Sequence, residues 1–342
     1  MPVSSRRTLA VALHADELIG VAGNESLKFE IARSTAHVEP LIAGDALVIA
    51  TSGSTGTPKG VVHTHHSLHT HAQMIGARLT LSSADHWWLC LPPAHIGGFG
   101  VLARAWQFGA RLTLSDVVSD ATLSEALAAG ATHTSVVPTH LTRHSFANWQ
   151  VVLVGGARAD KLLPNCLSTY GLTETGGGVV YDGVPLVDVE IRVTDGDIHL
   201  RTPTLARTYR HAPLNTVDGW FDTGDVGVLT NGKLTVEGRV DDLIITGGNK
   251  VWPRLVEQRL LEHPLVDEVV VRGVPDAQWG AAVCVWVRPT NAANAPTLEV
   301  LRGHVKETLA SYYAPQRMVL VESIPRSTLG KVLVSELPGS AT

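Results

Sequence analysis

The sequence predicts an α/β protein in two parts, a large N-terminal domain of mixed sheets with helices and a small α+β C-terminal domain. Three observations carry this. Short apolar runs alternate with helical stretches over residues 46–154. Residues 189–201 then alternate apolar and polar positions between glycines. A third pattern begins near Asp241, where two helical stretches stand among two strand-like ones.

Taken in order, residues 46–50 (ALVIA) have no polar face and read as a buried strand. They lead into a turn-forming loop, residues 51–60 (TSGSTGTPKG), and residues 67–79 read as a helix. Residues 87–91 read as a strand closed by Pro92-Pro93, and residues 122–129 as a helix with Leu123 and Leu127 four apart. Residues 135–137 and 151–154 are short buried strands ended by Pro or Gly, so a partly parallel sheet is expected. Beyond about residue 185, the VEIRV and IHLR segments alternate, and Gly196, Gly219, Gly232 and Gly238 fall at turn spacing. That pattern predicts antiparallel strands with one wet face, arranged as a small barrel. Residues 253–261 and 297–312 read as helices, the second with Leu298, Leu301, Val305 and Leu309 on one face. Residues 268–273 and 281–288 read as strands. The expected domains are residues 1–239 and 240–342, the second of ordinary small-domain size.

Composition narrows the function. The 342 residues carry 27 Lys+Arg against 32 Asp+Glu, a net charge of −5, which argues against nucleic acid as a partner. At 44% hydrophobic and 17% charged the chain is a folded type, neither disordered nor fibrous. No apolar run approaches the ~18 residues that span a bilayer. Cys90, Cys166 and Cys284 form no C-x-x-C pair, so neither a disulfide framework nor a zinc site is expected on them, and a reducing cytoplasm is the simplest setting. Ser5-Arg6-Arg7-Thr8-Leu9 looks like the start of a twin-arginine export signal, but His14, Asp16 and Glu17 interrupt the apolar stretch behind it. His63, His65, His66, His69 and His71 crowd one region without a fixed ligand spacing, and read as loop and exposed helix residues.

Five segments carry chemistry. In residues 51–60 five of ten positions are Ser or Thr and three are Gly. Such a loop brings backbone N–H groups and hydroxyls close to a phosphate chain, and Lys59 adds a charge. It is no Walker A loop, since Pro58 precedes the lysine and Gly60 follows it. A polar surface loop is the plainer alternative. Residues 170–175 (YGLTET) offer a ring for a base, a hydroxyl for a phosphate and a carboxylate for Mg²⁺; a capped loop is the alternative. Residues 220–225 (WFDTGD) place Asp225 beside a glycine turn, able to accept from a ribose diol or to form an ordinary Asx-turn. Residues 238–253 (GRVDDLIITGGNKVWP) and 325–332 (PRSTLGKV) could each be a turn between strands, but all five occur in one order and spacing.

TSGSTGTPKG, LPPAHIGG, YGLTET, DTGD, GRVDDLIITGGNKV and PRSTLGKV together resemble the core motifs of the adenylate-forming superfamily of acyl-CoA synthetases, peptide-synthetase adenylation domains and luciferases. The resemblance implies that fold and ATP, Mg²⁺ and coenzyme A as the molecules handled. It implies that Thr51, Ser52, Ser54, Thr55, Thr57 and Lys59 hold the ATP phosphates. Tyr170 would stack on adenine with Gly155, Gly156 and Ala157 alongside, Thr173 would contact the α-phosphate, and Glu174 would bind Mg²⁺. Asp225, helped by Arg239, would bind the ribose. Lys331 would be the adenylating lysine, Asp241 the hinge of the small domain, and His95 the gate between acyl and thiol channels. Gly247, Gly248 and Lys250 would serve the thioester step.

Residues 170–193 are similar to the o-succinylbenzoate–CoA ligases of menaquinone (vitamin K2) biosynthesis, particularly the short actinobacterial type. That implies room for a flat aromatic ring beside Gly176, Gly177 and Gly178, and a donor for the free ring carboxylate, for which Arg104, His95 and Thr175 are candidates. A ligase for another aryl or short-chain acid, or an inactive adenylate-binding homologue, remain the alternatives. Against a full-length member the chain lacks roughly the first third, so a reduced N-terminal subdomain offset by homodimer contacts is expected.

Overall fold

The computed structural model describes residues 42–51, 59–156, 162–326 and 332–339. Among these the chain forms two compact units. The first runs to Ile191 and takes in Leu200–Phe221; the second comprises Arg192–His199 and the chain from Asp222 onward. The arginine pair at Arg6-Arg7 lies outside the described residues.

In the first unit, β1 (Asp45–Thr51) and β2 (Lys59–Thr64) pair antiparallel with Thr51 opposite Lys59. Helix α1 (His65–Leu79) starts at a reciprocal capping box. Ser67 N donates to Thr64 Oγ1 at 3.0 Å and Thr64 N donates to Ser67 Oγ at 3.1 Å. There follow β3 (His86–Leu89), α2 (Ile96–Phe108), β4 (Arg111–Leu114), α3 (Asp120–Ala128), β5 (His133–Val136), α4 (Pro138–Arg143), β6 (Val151–Val154), β7 (Cys166–Leu172), β8 (Gly177–Tyr181) and β9 (Val184–Pro185). The strands form one seven-stranded sheet in the order β4-β3-β5-β6-β7-β8-β9. From β4 to β7 neighbouring strands are parallel, and β8 and β9 continue antiparallel. The partly parallel sheet is as the alternating pattern predicted. Its core includes Trp88, Leu123, Phe146, Trp149 and Val152, with Trp88 and Trp149 stacked at 5.3 Å. Truncating either tryptophan to alanine would cost about 3–5 kcal/mol.

The alternating region forms β10 (Glu190–Thr194), β11 (Asp197–Arg201), β12 (Thr208–Tyr209), β13 (Thr216–Val217), β14 (Trp220–Thr230) and β15 (Lys233–Arg239). β12 joins β2, and the others make a sheet ordered β10-β11-β14-β13 with β15 beside β14. Three two-residue hairpin turns, Asp195-Gly196, Asp218-Gly219 and Asn231-Gly232, have positive φ at both positions, as a type I′ turn requires. Gly238 differs from the turn expectation. It lies inside β15, where a Cβ would sit 3.5 Å from the Trp252 ring.

The C-terminal α+β part contains β16 (Ile244–Thr246), β17 (Asn249–Val251), α5 (Pro253–Leu261), β18 (Val266–Asp276), β19 (Gly280–Pro289), α6 (Leu298–Lys306) and β20 (Arg317–Leu320). The sheet order is β17-β16-β19-β18, with β20 parallel to β19. Alternate residues of β18 and β19 face two cores. Val269, Val271, Val283 and Val285 meet Val256, Leu260, Leu301 and Val305 of the helices. Val270, Ala282, Cys284 and Trp286 meet Val321, Ile324 and Leu337. Burial on both faces explains the uninterrupted apolar run at residues 281–287. Helix α6 ends at Lys306, short of the predicted residue 312; Leu309 keeps the apolar period because it packs on the same core from beyond the helix end. The second unit reaches back to Asp222 rather than 240, since β15 packs against the start of α5, where Arg254 Nη1 donates to Val236 O at 3.4 Å. Among the described residues no helix is long and apolar enough to cross a membrane, and the three cysteines are buried and free.

Candidate active site

In open α/β sheets ligands gather at the carboxyl ends of parallel strands. In the first unit those ends carry the predicted residues. β3 runs on to His95, the extended N-cap of α2. β6 ends at Gly155-Gly156, where a Cβ on Gly155 would meet Thr169 Oγ1 at 2.8 Å and Gly156 has φ +80°. The backbone there can be approached closely only because both residues are glycine. Tyr170 stands near the end of β7, which leads into the 3-10 turn Thr173–Thr175.

Charge is organised around Glu174. Its Oε1 accepts from Tyr209 OH at 2.9 Å, and Lys59 Nζ lies 5.3 Å over the Tyr209 ring. A cation–π contact and a phenol hydrogen bond thus join the lysine of the glycine-rich loop to the carboxylate of YGLTET. Tyr209 was not anticipated, since it stands in no motif and its strand, β12, is two residues long. Thr51 Oγ1 donates to Lys59 O at 3.4 Å across the hairpin.

Two expectations for the acyl side are corrected. Thr175 is fully buried; its hydroxyl accepts from Leu172 N at 2.8 Å and has one hydrogen for two carbonyls, Gly177 O at 2.7 Å and Leu172 O at 3.0 Å. No hydrogen remains for a ligand carboxylate. The space a Cβ would take at Gly176 and Gly177 is bounded by the His71 ring at 3.3 Å and 3.1 Å, and at Gly178 by Thr169 at 2.9 Å. The glycine run therefore makes room for the protein's own side chains. It also accommodates φ of +77° and +120° at Gly176 and Gly177.

Arg104, on α2, is buried at 4% exposure. Its Nη2 donates to Ser135 Oγ at 2.9 Å, its guanidinium lies 4.5 Å over the Trp87 ring, and its Nε has no partner. Among the described residues no carboxylate pairs with it. Burial lowers its pKa to about 10, which leaves it a cation at neutral pH. An unpaired buried cation is costly, and an incoming anion relieves that cost.

The histidine cluster is also corrected in part. His65, His66 and His69 are exposed, but His63 and His71 are buried and hydrogen-bonded. Burial drives their pKa values down to about 4 and about 3, so both rings are neutral.

In the second unit Asp225 and Arg239 face each other across β14 and β15, and Arg239 Nη1 donates to Asp225 Oδ1 at 2.9 Å. Asp241 is exposed in the 3-10 turn Val240–Asp242 that follows β15. Gly247 and Gly248 form the two-residue turn between β16 and β17, both with positive φ, and Gly247 N donates to Trp279 O at 2.9 Å. Lys250 is exposed on β17. Arg326 donates from Nε and Nη2 to Glu268 Oε1 at 2.9 and 2.5 Å, and bridges to Val332. Ser52, Ser54, Thr55, Thr57, Ala157 and Lys331 lie outside the described residues. Among the described residues no three or more His, Cys, Asp or Glu side chains gather to hold a metal.

Within the first unit, then, the fold joins Lys59 to Glu174 and sets a buried cation on the helix that His95 caps. Comparison with known proteins gives the class. Residues 11–210 match the AMP-binding enzyme family and residues 255–331 match the AMP-binding enzyme C-terminal domain, and the chain belongs to this family. Its fold is the adenylate-forming fold. The chain is 37% identical over 330 residues to the probable 2-succinylbenzoate–CoA ligase of Mycobacterium tuberculosis H37Rv, covering 86% of this chain and 85% of that protein. Among solved structures it is similar to the o-succinylbenzoate CoA synthetase of Bacillus subtilis in complex with its acyl-adenylate intermediate. That match has a TM-score of 0.76 and 28% identity, and covers 85% of this chain and 68% of the other. The same Bacillus enzyme in complex with ATP and magnesium ion matches with a TM-score of 0.74 and 28% identity, over 85% and 69% of the two chains.

Proposed function

We propose that this chain is an AMP-forming acid–thiol ligase that joins o-succinylbenzoate to coenzyme A at the expense of ATP, within menaquinone biosynthesis. The observation that carries the substrate is Arg104. A buried guanidinium with no carboxylate partner suits an acid that keeps a second, unreacted carboxylate.

A carboxylate is a poor acyl donor because its charge is delocalised. In the first step the succinyl carboxylate oxygen attacks the α-phosphorus of ATP. A C–O–P bond forms, the bond to the β-phosphate oxygen breaks, and pyrophosphate leaves. In the second step the thiol sulfur attacks the acyl carbon and loses its proton; the C–S bond forms and AMP leaves with the electrons of the C–O bond. Two anions must meet in the first step, so its main demand is electrostatic. In this reading Lys59, with Thr51, Ser52, Ser54, Thr55 and Thr57, holds the phosphates, and Thr173 holds the α-phosphate. Lys331 touches both the acyl carboxylate and the α-phosphate. Tyr170, Gly155, Gly156 and Ala157 flank the adenine, and Asp225 and Arg239 take the ribose.

Mg²⁺ would supply further charge neutralisation on the phosphates. Glu174 is the side chain that would hold it. This ion keeps most of its water and needs only one or two carboxylates, which suits a lone carboxylate oriented by Tyr209. Rotation of the small domain about Asp241 would exchange Lys331 for the Gly247, Gly248 and Lys250 face between steps, with His95 as gate. A cytoplasmic setting and a homodimer complete the reading. ATP–pyrophosphate exchange across a panel of aryl and short-chain acids tests it. Exchange is expected with o-succinylbenzoate above all others, and exchange confined to a different acid would reject the substrate.

A further inference from the structure

In segment 173–178, Thr173 and Glu174 stand on the phosphate side of the proposed site. The glycines that follow lie against His71, which is close enough to Arg104 to feel its charge, so it is their backbone that would border the acid, and the segment's oxygens are held from behind. Glu174 O accepts from Ala206 N at 2.7 Å, and Thr175 O from Thr204 Oγ1 at 2.8 Å. The two ends are held by histidines. His63, on β2, has Nε2 2.7 Å from Thr173 O, and its Nδ1 is 3.1 Å from Ser67 Oγ. His71, on α1, has Nε2 3.0 Å from Gly178 O, and its ring lies against Gly176 and Gly177. A carbonyl oxygen only accepts, so in each ring Nε2 carries the proton.

We propose that His63 and His71 are positioning residues for the two halves of this segment, His63 setting Thr173 and Glu174 toward ATP and His71 setting the glycine run toward the acid. The proposal rests on the ligase reading of the segment. Neutral rings suit the task. An imidazolium at His71 would compete with Arg104 for the acid's anion, and its burial together with the nearby Arg104 charge keeps that ring unprotonated. The glycines need the support, because φ values of +77° and +120° leave this backbone conformations to escape into once the ring is gone.

The test compares His63→Leu, His63→Gln, His71→Leu and His71→Gln, using the purified 342-residue chain, steady-state adenylation and calorimetric binding of the acid. Loss of a buried donor to a carbonyl predicts about a tenfold effect. His71→Leu should raise KM for the acid and weaken its binding about tenfold, with KM for ATP within about twofold of wild type. His63→Leu should do the reverse, raising KM for ATP and lowering kcat. The glutamine variants, which keep an N–H donor, should recover most of each loss. If a leucine variant fails to fold, asparagine replaces it as comparator, since its amide is one methylene short of the carbonyl. Equal change of both KM values in the His63 and His71 variants, or glutamine no better than leucine or asparagine, overturns the inference. A wild-type protein inactive toward o-succinylbenzoate would count against the ligase reading instead. The split is then measured with whichever acid the panel identifies.

Discussion

Arg104→Met separates binding from stability, because the two should move in opposite directions. In the free protein the guanidinium is buried, with one hydroxyl partner, one aromatic face and an unpaired Nε. Replacing even a paired buried charge by apolar residues of similar volume is often neutral or stabilising, and Arg104 leaves no carboxylate behind, only the Ser135 hydroxyl. Methionine also keeps a favourable contact with Trp87. The melting temperature should therefore hold or rise. Toward the diacid the variant loses a hydrogen bond between charged groups, worth about 1.5–3 kcal/mol, or about 10- to 150-fold in kcat/KM. The assay compares o-succinylbenzoate with 4-oxo-4-phenylbutyrate, the same acid without its ring carboxylate. The variant should lose the 10- to 150-fold on the first acid only, so the preference between the two collapses. Equal loss on both acids, or a melting temperature several degrees lower, would refute the assignment and make Arg104 a structural residue.

Other consequences follow from the same geometry. Lys331→Ala should lower adenylation by orders of magnitude while leaving thioester formation from supplied acyl-adenylate largely intact; equal loss in both half-reactions would make the lysine structural. His63 and His71 have folded pKa values of about 4 and about 3, below the ~6.5 of an unfolded histidine, so acid protonates the unfolded chain first. Their contribution to stability is complete above about pH 6.5 and declines as pH falls toward those values. Urea unfolding should show about 4 kcal/mol less stability at pH 5 than at pH 7 from this source, a difference the double glutamine variant should lack. Arg207 donates to the buried Asp45 from Nε and Nη2 at 2.6 and 2.7 Å, and holds that carboxyl below its usual pKa. Arg207→Ala should cost about 2–3 kcal/mol in denaturant, the low end for a buried pair because Arg207 is partly exposed, and a neutral result would remove the pair from the account.

Elements whose signals are local were legible in the sequence. Helix α5 has Pro253 at its first turn and ends where read. Strands β18 and β19 show as apolar runs because both faces are buried. Helix α2 was missed because Gly97, Gly98 and Gly100 lower helix propensity. The fold needs Gly98 for a different reason, since a Cβ there would lie 2.3 Å from Pro92 O. β2 was missed because two valines between a loop and a helix cap give no period. At the site, Lys59 and Glu174 were visible through their motifs, but Tyr209, which links them, has no motif around it. His63 and His71 were read as surface residues because their carbonyl partners lie more than a hundred residues away. A signal did exist for one of them. His71 shares the buried stripe of α1 with Ser67, Ala72 and Ile75, a spacing readable from sequence.

In the proposed reaction one chain activates o-succinylbenzoate as an adenylate and passes it to coenzyme A. A single-turnover experiment tests it, with purified protein, ATP, Mg²⁺ and the acid, quenched before and after addition of coenzyme A. O-succinylbenzoyl-adenylate and pyrophosphate are expected before addition, then o-succinylbenzoyl-CoA and AMP in equal amounts. Release of ADP and phosphate, or an adenylate that coenzyme A does not discharge, would contradict it.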